Sequence, residues 1–336
     1  MHDTAVRTPL LVMVLLFLSG RTALAAERPE WAFFVPYAKS QSSDTGTPAN
    51  ARAIQWRPVG SHQSYTPGQV QDPLNPPDWY PEDHPPMPQI VAHGSRTRTG
   101  SAPLLPCALC HLPNGAGHVE SASLAGLSAA YIVQQFADFR SGARRISVGN
   151  PASIALLTAM KKGYSDAQIH AAAKYFASLK PRPWIHVVET RTVPKSTVSP
   201  ETLMRTPIPK GGKEPLGVRI VELPVSTIGL INRDSHSGFI AYVPPGSVAA
   251  GKALTATSVV AGAPPCTSCH GPRLTGVGDI PPIAGRPPNY IVRQLWGFQS
   301  GERHGQLAPL MRFVASKWTN VNMLAIAAYL ASLPPG

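Results

Sequence analysis

The stretch PPCTSCHGPRLTG, residues 264–276, places two cysteines three positions apart, with a histidine directly behind them. The same arrangement occurs once more, in LPCALCHLPNG at residues 105–115. These two stretches contain all four cysteines of the 336-residue chain. Every cysteine therefore belongs to a Cys-x-x-Cys-His motif, and fold and function can be argued outward from these two motifs.

The beginning of the chain has the features of an export signal. Residues 1–26 combine a positive charge at Arg7, an apolar stretch from Pro9 to Ser19 and small residues around Ala25. The apolar stretch is well short of the ~18 residues that a membrane-spanning helix needs. We therefore predict a cleaved signal peptide over 1–26 and a periplasmic mature protein, with an uncleaved anchor as the alternative.

In an oxidising compartment, a Cys-x-x-Cys pair has several chemical meanings. It can form a disulfide, act as a redox-active dithiol or supply half of a zinc site. With the histidine added, the pair can instead attach a haem c. The two thiols then bond the vinyl-derived carbons at one edge of the porphyrin, and the imidazole binds the iron.

An internal repeat surrounds the two motifs and favours the haem interpretation. With Cys107 set on Cys266, an offset of 159 (266 minus 107), the two halves match without a gap as far as Arg144 and Arg303. After five additional residues in the first copy, the halves realign. Two zinc half-sites would not need this shared sequence, whereas a duplicated haem-binding domain would. The matched segments are LAGLSAAYIVQQFADFRSGAR (124–144) with IAGRPPNYIVRQLWGFQSGER (283–303), and YSDAQIHAAAKYFASLKP (164–181) with WTNVNMLAIAAYLASLPP (318–335).

The repeats predict an all-α fold class, as two small helical haem domains in tandem. Ser128 and Ser165 are predicted N-caps of amphipathic helices in the first copy, and Ser247 of a helix ahead of Cys266. Short runs rich in β-branched residues predict short strands between the domains, in an ordered joining segment rather than a flexible linker. The predicted parts are the signal peptide (1–26), a proline-rich irregular arm (27–102), the first haem domain (103–181), the joining segment (182–245) and the second haem domain (246–336).

In both halves the motif is followed by Ala-Gly, Tyr, Gln, Phe, Gly-x-Arg and a last helix with the pattern Ala-x-Tyr-x-Ala-Ser-Leu, in that order. This order resembles the tandem di-haem class I cytochromes c, specifically the cytochrome c4-like periplasmic electron carriers of bacteria. The match covers residues 103–181 and 246–335. The resemblance implies two cytochrome c folds, each with a covalently bound haem c whose iron is held by the motif histidine and a distal methionine.

In the second domain, the resemblance extends to every ligand position. It assigns the thioether bonds to Cys266 and Cys269, the proximal bond to His270 and the distal bond to Met311 in APLMRF. A thioether ligand is soft and stabilises ferrous iron, which gives His/Met haems high reduction potentials. Core packing is the alternative role for Met311.

The first domain departs from the family pattern at the distal position. The residue aligned with Met311 is Leu157, and Met160 is the one methionine downstream of the motif within the domain. We predict that Met160 binds this iron, because the five-residue insertion gives its loop slack. Met87, His93 and His118 are weaker candidates, and an empty sixth position stays open. The resemblance assigns the remaining ligands of this domain to Cys107, Cys110 and His111.

Two pairs of matched residues are candidates for the haem propionates. Arg144 and Arg303 could pair with a carboxylate in a bidentate manner, or could be solvated charges at helix ends. Tyr131 and Tyr290 could donate to propionates or pack against the core. The sequence leaves both alternatives open.

A net charge of +12 favours redox partners with acidic docking surfaces. The expected donor is a periplasmic dehydrogenase or a membrane cytochrome complex, and the expected acceptor an oxidase or another redox protein. Transient contact with the membrane surface fits this location, and nucleic acid does not. The sequence therefore predicts an electron carrier. The alternative is a haem enzyme resembling di-haem peroxidases, or a cytochrome subunit dedicated to one periplasmic dehydrogenase.

Overall fold

The computed structural model describes residues 27–33, 55–96, 103–145, 147, 151–199, 202, 204–256 and 262–336. The predicted signal peptide lies outside these residues. Short 3-10 helices cover Glu30–Ala32 and Pro81–Asp83. The described α-helices are α1 (Pro67–Val70), α2 (Gln89–Ala92), α3 (Ala108–His111), α4 (Ala129–Ser141), α5 (Pro151–Gly163), α6 (Asp166–Ser178), α7 (Thr227–Ile231), α8 (Ser247–Ala256), α9 (Thr267–His270), α10 (Pro288–Gln299), α11 (Ala308–Ala315) and α12 (Asn320–Ser332).

Helices α3 to α6 form the first helical unit. The hydroxyl of Ser128 accepts a hydrogen bond from the backbone N–H of Tyr131, and Ser165 with Gln168 forms a capping box at the start of α6. Both predicted N-caps are confirmed, and each satisfies backbone donors that a helix start leaves unpaired. The predicted inward face of α6 is buried around Phe176. Helix α2 packs against α6 from the arm.

Helices α8 to α12 form the second helical unit. Helix α8 begins at Ser247 itself rather than after it, so the predicted cap position is one residue off. Helix α8 crosses α12 at Gly251, where a Cβ atom would come within 1.9 Å of the carbonyl oxygen of Ala325. Only glycine permits this close crossing. The core of the unit lies between α10, α12 and α8, with Val292, Met323 and Ala327 fully buried.

The joining segment is ordered and contains all of the described strands. These are β1 (Ile185–Glu189), β2 (Thr192–Pro194), β3 (Ser196–Val198), β4 (Arg205–Pro207), β5 (Lys213–Pro215), β6 (Val221–Pro224) and β7 (Phe239–Val243). Strand β7 lies at the centre of a three-stranded sheet, parallel to β1 and antiparallel to β6. Strands β2 and β5 form one small antiparallel pair, and β3 and β4 another. The predicted short strands are confirmed, and the all-α description therefore applies to the helical units but not to the whole chain.

The arm and the joining segment pack onto the helical units. The indole N–H of Trp79, in the arm, donates to the carbonyl of Asn232 at 2.8 Å. One apolar cluster combines Val119 of the first unit, Phe239 of the sheet and Ala331 of the second unit. Nowhere in the described ranges is there a helix with the length and apolarity needed to cross a bilayer.

Two candidate haem sites

The first motif forms a single helical turn. The backbone N–H of His111 bonds to the carbonyl of Cys107 at 2.9 Å, so α3 gathers both cysteines and the histidine. The Nδ1 atom of His111 lies 2.8 Å from the carbonyl oxygen of Ala122. A carbonyl only accepts, so Nδ1 carries the proton and the lone pair of Nε2 is available to a metal. Burial lowers the pKa of His111, which keeps the ring neutral.

The second motif repeats this geometry. The backbone N–H of His270 bonds to the carbonyl of Cys266 at 2.9 Å, and His270 Nδ1 lies 2.8 Å from the carbonyl oxygen of Pro281. Burial lowers the pKa of His270 as well. In both units the accepting carbonyl follows the histidine by eleven residues. Both histidines are therefore held in the tautomer that haem iron requires.

None of the four cysteines is paired in a disulfide. Burial raises the pKa of Cys107 to about 12 and that of Cys266 to about 11, which disfavours a thiolate at either position before any attachment. The structure thus removes the disulfide alternative. Within the described ranges, no three or more histidine, cysteine or acidic side chains are arranged to hold a metal ion. The two motifs therefore do not meet as halves of a zinc site.

The two predicted distal methionines lie on corresponding helices. Met160, on α5, packs against the apolar cluster that also receives Cys107. Met311, on α11, packs against the cluster that receives Cys266. Leu157 is partly buried, one turn earlier on α5, and is not among the residues that pack on that first cluster. The packing favours Met160 over the aligned leucine, and ligation by either methionine stays a prediction.

The other distal candidates have different surroundings. His118 is buried, and its Nδ1 lies 3.1 Å from the carbonyl of Cys110, which places it beside the motif. Burial lowers the pKa of His118 to about 3. His93 is exposed, and its Nδ1 bonds to Asn75 at 2.9 Å. Met87 packs against the same cluster as Met160. Of the three weaker candidates, Met87 is the one that packs on the core of the first unit.

Matched residues of the repeat bond to each other across the two helical units. We name this group the interface cluster: it consists of Tyr131, Gln135, Arg144, Tyr290, Gln294 and Arg303. The Oε1 atom of Gln135 accepts from both arginines at 2.8 Å, and that of Gln294 accepts from Arg144 at 2.8 Å and from Arg303 at 3.1 Å. Arg144 also reaches the hydroxyl of Tyr290 at 3.2 Å.

The interface cluster is symmetric, because the equivalent bond from Arg303 to the hydroxyl of Tyr131 measures 3.4 Å. Sequence reasoning singled out these arginines and tyrosines but not their pairing across the units. Their identity at aligned positions of the repeat is the signal that could have suggested it. The solvated alternative for Arg144 and Arg303 is wrong, since both are buried.

Buried positive charge accumulates at this interface. Arg286 donates to the carbonyls of Ser123 and Ala125, and burial lowers its pKa to about 10. Burial alone would raise the pKa of Tyr290, but the guanidinium groups of Arg144, Arg303 and Arg286 hold it below its usual value. Within the described residues, none of these three arginines forms an ion pair with a carboxylate. Buried charges need partners, and the anionic propionates of two haems match this requirement.

The two motif loops differ sharply in exposure. In the first, Leu109 and Leu112 are buried, whereas Cys269 of the second is exposed. His118 is 6% exposed, while the residue aligned with it, Val277, is 57% exposed. The joining segment covers the first loop. The covering contacts include hydrogen bonds from Arg233 to the carbonyl of Leu109 and from Asn114 to the carbonyl of Ser235.

Known proteins show clear similarity to this chain, although no protein-family model matches it. The chain is 28% identical over 231 residues to the thiosulfate dehydrogenase electron acceptor of Thiomonas intermedia (strain K12), covering 68% of this chain and 78% of that protein. It is 24% identical over 232 residues to cytochrome c4 of Azotobacter vinelandii, covering 68% and 84% respectively. The solved structure of reduced recombinant cytochrome c4 from Pseudomonas stutzeri aligns with a TM-score of 0.44 at 22% identity, covering 68% of this chain and 93% of that one.

The doubled motif and these relatives define the class of protein. The chain is a c-type cytochrome with two covalently bound haems c, and it is an electron carrier rather than an enzyme. Within that class, it is similar to the cytochrome c4-like group of di-haem class I cytochromes. The resemblance predicted from the sequence is confirmed, and the chain works by exchanging electrons with other redox proteins.

Proposed function

We propose that this chain carries single electrons between periplasmic redox proteins on haems attached to its two motifs. The observation that carries the proposal is the matching geometry of His111 and His270. Each histidine has its Nδ1 hydrogen-bonded to a backbone carbonyl, and its Nε2 is available as a metal ligand. The proposed thioether residues are Cys107, Cys110, Cys266 and Cys269.

Each haem, when bound, supplies a one-electron iron couple. The chain's own residues orient and enclose it. The hydrogen bonds to Ala122 and Pro281 fix the imidazole planes, and the thioethers of Met160 and Met311 would supply the second protein ligand to each iron. A filled sixth position limits rearrangement on electron transfer and excludes small ligands such as carbon monoxide. Arg144, Arg286 and Arg303 supply the positive charge that compensates buried propionates.

We assign the two cytochrome c folds to residues 103–181 and 246–336. The proposal is supported by the matched helices of the two units and by the matched histidine geometry. Residues 27–102 and 182–245 are additions to the family pattern. The second of these additions covers the motif loop of the first haem site.

The names of the relatives suggest the class of donor. Two of them are electron acceptors of thiosulfate dehydrogenases. We therefore propose that the donor to this chain is a periplasmic dehydrogenase that oxidises a small sulfur oxyanion. A terminal oxidase or another periplasmic carrier would be the acceptor.

The second motif loop is the proposed docking face. Cys269, Val277 and Ile280 are exposed there, beside the exposed Arg273. An apolar patch beside a cation, on a chain with a net charge of +12, fits a partner with an acidic rim around its own redox centre. The first motif loop cannot serve in the same way, because the joining segment covers it.

Haem content tests the attachment sites. Denaturing electrophoresis with haem staining and an intact mass should show two porphyrins on the mature chain. The double variant Cys266→Ala/Cys269→Ala should carry one. Unmodified thiols on Cys107 or Cys266 in protein matured in the periplasm would refute the proposal.

Stopped-flow reduction by a thiosulfate dehydrogenase tests the docking face. The rate should fall as salt is added, because long-range attraction between charged surfaces is screened. Arg273→Glu should slow reduction several-fold, whereas Arg191→Glu, at an exposed position in the joining segment, should have little effect. Equal rates for both variants would place docking elsewhere.

A further inference from the structure

The joining segment places a buried cation against the first motif. Arg233 follows α7, and its guanidinium donates to the carbonyl of Leu109 at 2.9 Å. Leu109 lies between the two cysteines of the motif. The guanidinium is therefore held against the backbone that presents the thioether bonds, in a region where Leu112 and His118 are also buried.

The charge of Arg233 acts directly on the motif. Burial raises the pKa of the Cys110 thiol, and the positive charge of Arg233 opposes this rise. Among the described residues, no carboxylate forms an ion pair with Arg233. The neighbouring carboxylate of Asp234 accepts hydrogen bonds from the hydroxyl of Tyr80 and the backbone N–H of His236.

One acidic residue, Glu120, also lies within electrostatic range of Cys110. Burial raises the pKa of Glu120 well above its usual value, which disfavours its charged form. A neutral carboxyl does not cancel the charge of a guanidinium. The guanidinium of Arg233, in contrast, is held against the first motif by its hydrogen bond to the carbonyl of Leu109.

The second motif has no equivalent of this arrangement in the described residues. Its loop is open to solvent, with Ser268, the residue aligned with Leu109, exposed. The cation of this loop, Arg273, is exposed as well. Water screens an exposed charge much more strongly than a buried one, because the interaction energy falls with the effective dielectric constant.

A haem in the ferric state carries one more positive charge than in the ferrous state. A fixed neighbouring cation and a cover that excludes water both disfavour that additional charge. We propose that Arg233 sets the potential of the first haem: its guanidinium, held by the joining segment, raises the reduction potential of that haem and draws the electron toward the first motif. This inference rests on the proposed attachment of haem to that motif.

Spectroelectrochemical titration of the mature di-haem protein tests the inference. Arg233→Met should lower one of the two midpoint potentials. The equilibrium constant for one-electron reduction of that haem should fall about threefold or more. Arg233→Lys keeps the charge and should retain most of the wild-type potential. The matched variant Arg273→Met, on the open loop, should leave both midpoints nearly unchanged.

The affected haem is identified by a second variant. Met311→Ala should change the other midpoint, because Met311 belongs to the second unit. The inference is overturned if Arg233→Met changes neither midpoint potential or changes the same one as Met311→Ala. It is also overturned if Arg233→Lys changes the midpoint potential as much as Arg233→Met does. Thermal unfolding of each variant shows whether the fold is intact. Protein lacking the first haem would instead refute the proposed attachment, so the two failures are distinguishable.

Discussion

His111 and His270 illustrate how a single hydrogen bond prepares a metal ligand. Each ring donates a hydrogen bond from its Nδ1–H to a carbonyl eleven residues further along the chain, which leaves the lone pair of Nε2 available. The two methionines proposed as distal ligands are less equivalent, because Met311 aligns with the family pattern and Met160 does not. Substitution of each methionine separates ligation from packing.

Met311→Ala should remove the far-red thioether-to-iron absorption band from one haem and lower the reduction potential of that haem. The reason is that a soft ligand stabilising ferrous iron is lost. Redox titration with optical spectroscopy measures both effects. Met323→Leu is the control, since Met323 is fully buried in the core of α12 and should not affect the band. An unchanged spectrum in Met311→Ala would mean that Met311 only fills space.

Met160→Ala should open the first haem to external ligands. Carbon monoxide should leave the reduced wild-type protein almost unaffected and should bind one equivalent in the variant. Leu157→Ala, one helical turn away, should behave as wild type, because the aligned leucine has no ligating atom. Prompt stoichiometric binding of carbon monoxide by the wild type, with peroxide turnover, would contradict this assignment and favour the peroxidase-like alternative.

At the scale of elements, helix crossings explain why certain small residues occur where they do. Helix α8 meets α12 at Gly251, where a larger residue would overlap the backbone of α12. In the sheet, one face of β7 is buried through Phe239, Ala241 and Val243. The sequence predicted the helix starts at Ser128 and Ser165 because capping is a local interaction within three residues. It also predicted strands in the joining segment, from their composition.

Two contacts of the joining segment could not be predicted from local sequence patterns. Its sheet pairs β1 with β7 in parallel, across more than fifty residues of chain, and Arg233 contacts Leu109 over a separation of 124 residues. No periodicity in the sequence specifies contacts of this range. The haem ligands were accessible because the chemistry of attachment fixes their spacing.

Gly251→Val should destabilise the protein by about 2 kcal/mol or more, because its Cβ would overlap the backbone of α12. Urea unfolding followed by circular dichroism measures the free energy of unfolding. Ala250→Val, on the exposed side of the same helix, carries the same loss of helix propensity without the overlap. Equal destabilisation in the two variants would show that the crossing tolerates a larger residue.

At the scale of the whole molecule, buried charges connect the helical units with the added segments. Arg293 of α10 donates to the carbonyls of Ala32, near the start of the described chain, and Val119 of the first unit. Glu222 of β6 is 2% exposed, and its carboxyl group lies beside Asn289 and within electrostatic range of Arg293. Three separate parts of the chain thus meet at the buried Arg293.

The buried carboxyl groups of this region should make the free energy of unfolding depend on pH. Burial raises the pKa of Glu222 from its usual 4.5 to about 8, although Arg293 opposes the rise, and burial raises the pKa of Glu120 in the same direction. The unfolded chain releases the Glu222 proton near pH 4.5, while the folded protein retains it until about pH 8. The contribution of this residue to stability is therefore greatest below pH 4.5 and is lost as the pH rises to about 8.

Glu222→Gln should remove this loss, because a neutral amide of similar shape replaces the titrating carboxyl. Urea unfolding at pH 5, 7 and 9 measures the free energy of unfolding of the variant and of the wild type. As the pH rises, the variant should become increasingly stable relative to the wild type. Glu82→Gln, at an exposed position in the arm, should leave the wild-type dependence unchanged. A constant difference across this range would show that Glu222 is ionised in the folded protein throughout, with Arg293 compensating its charge completely.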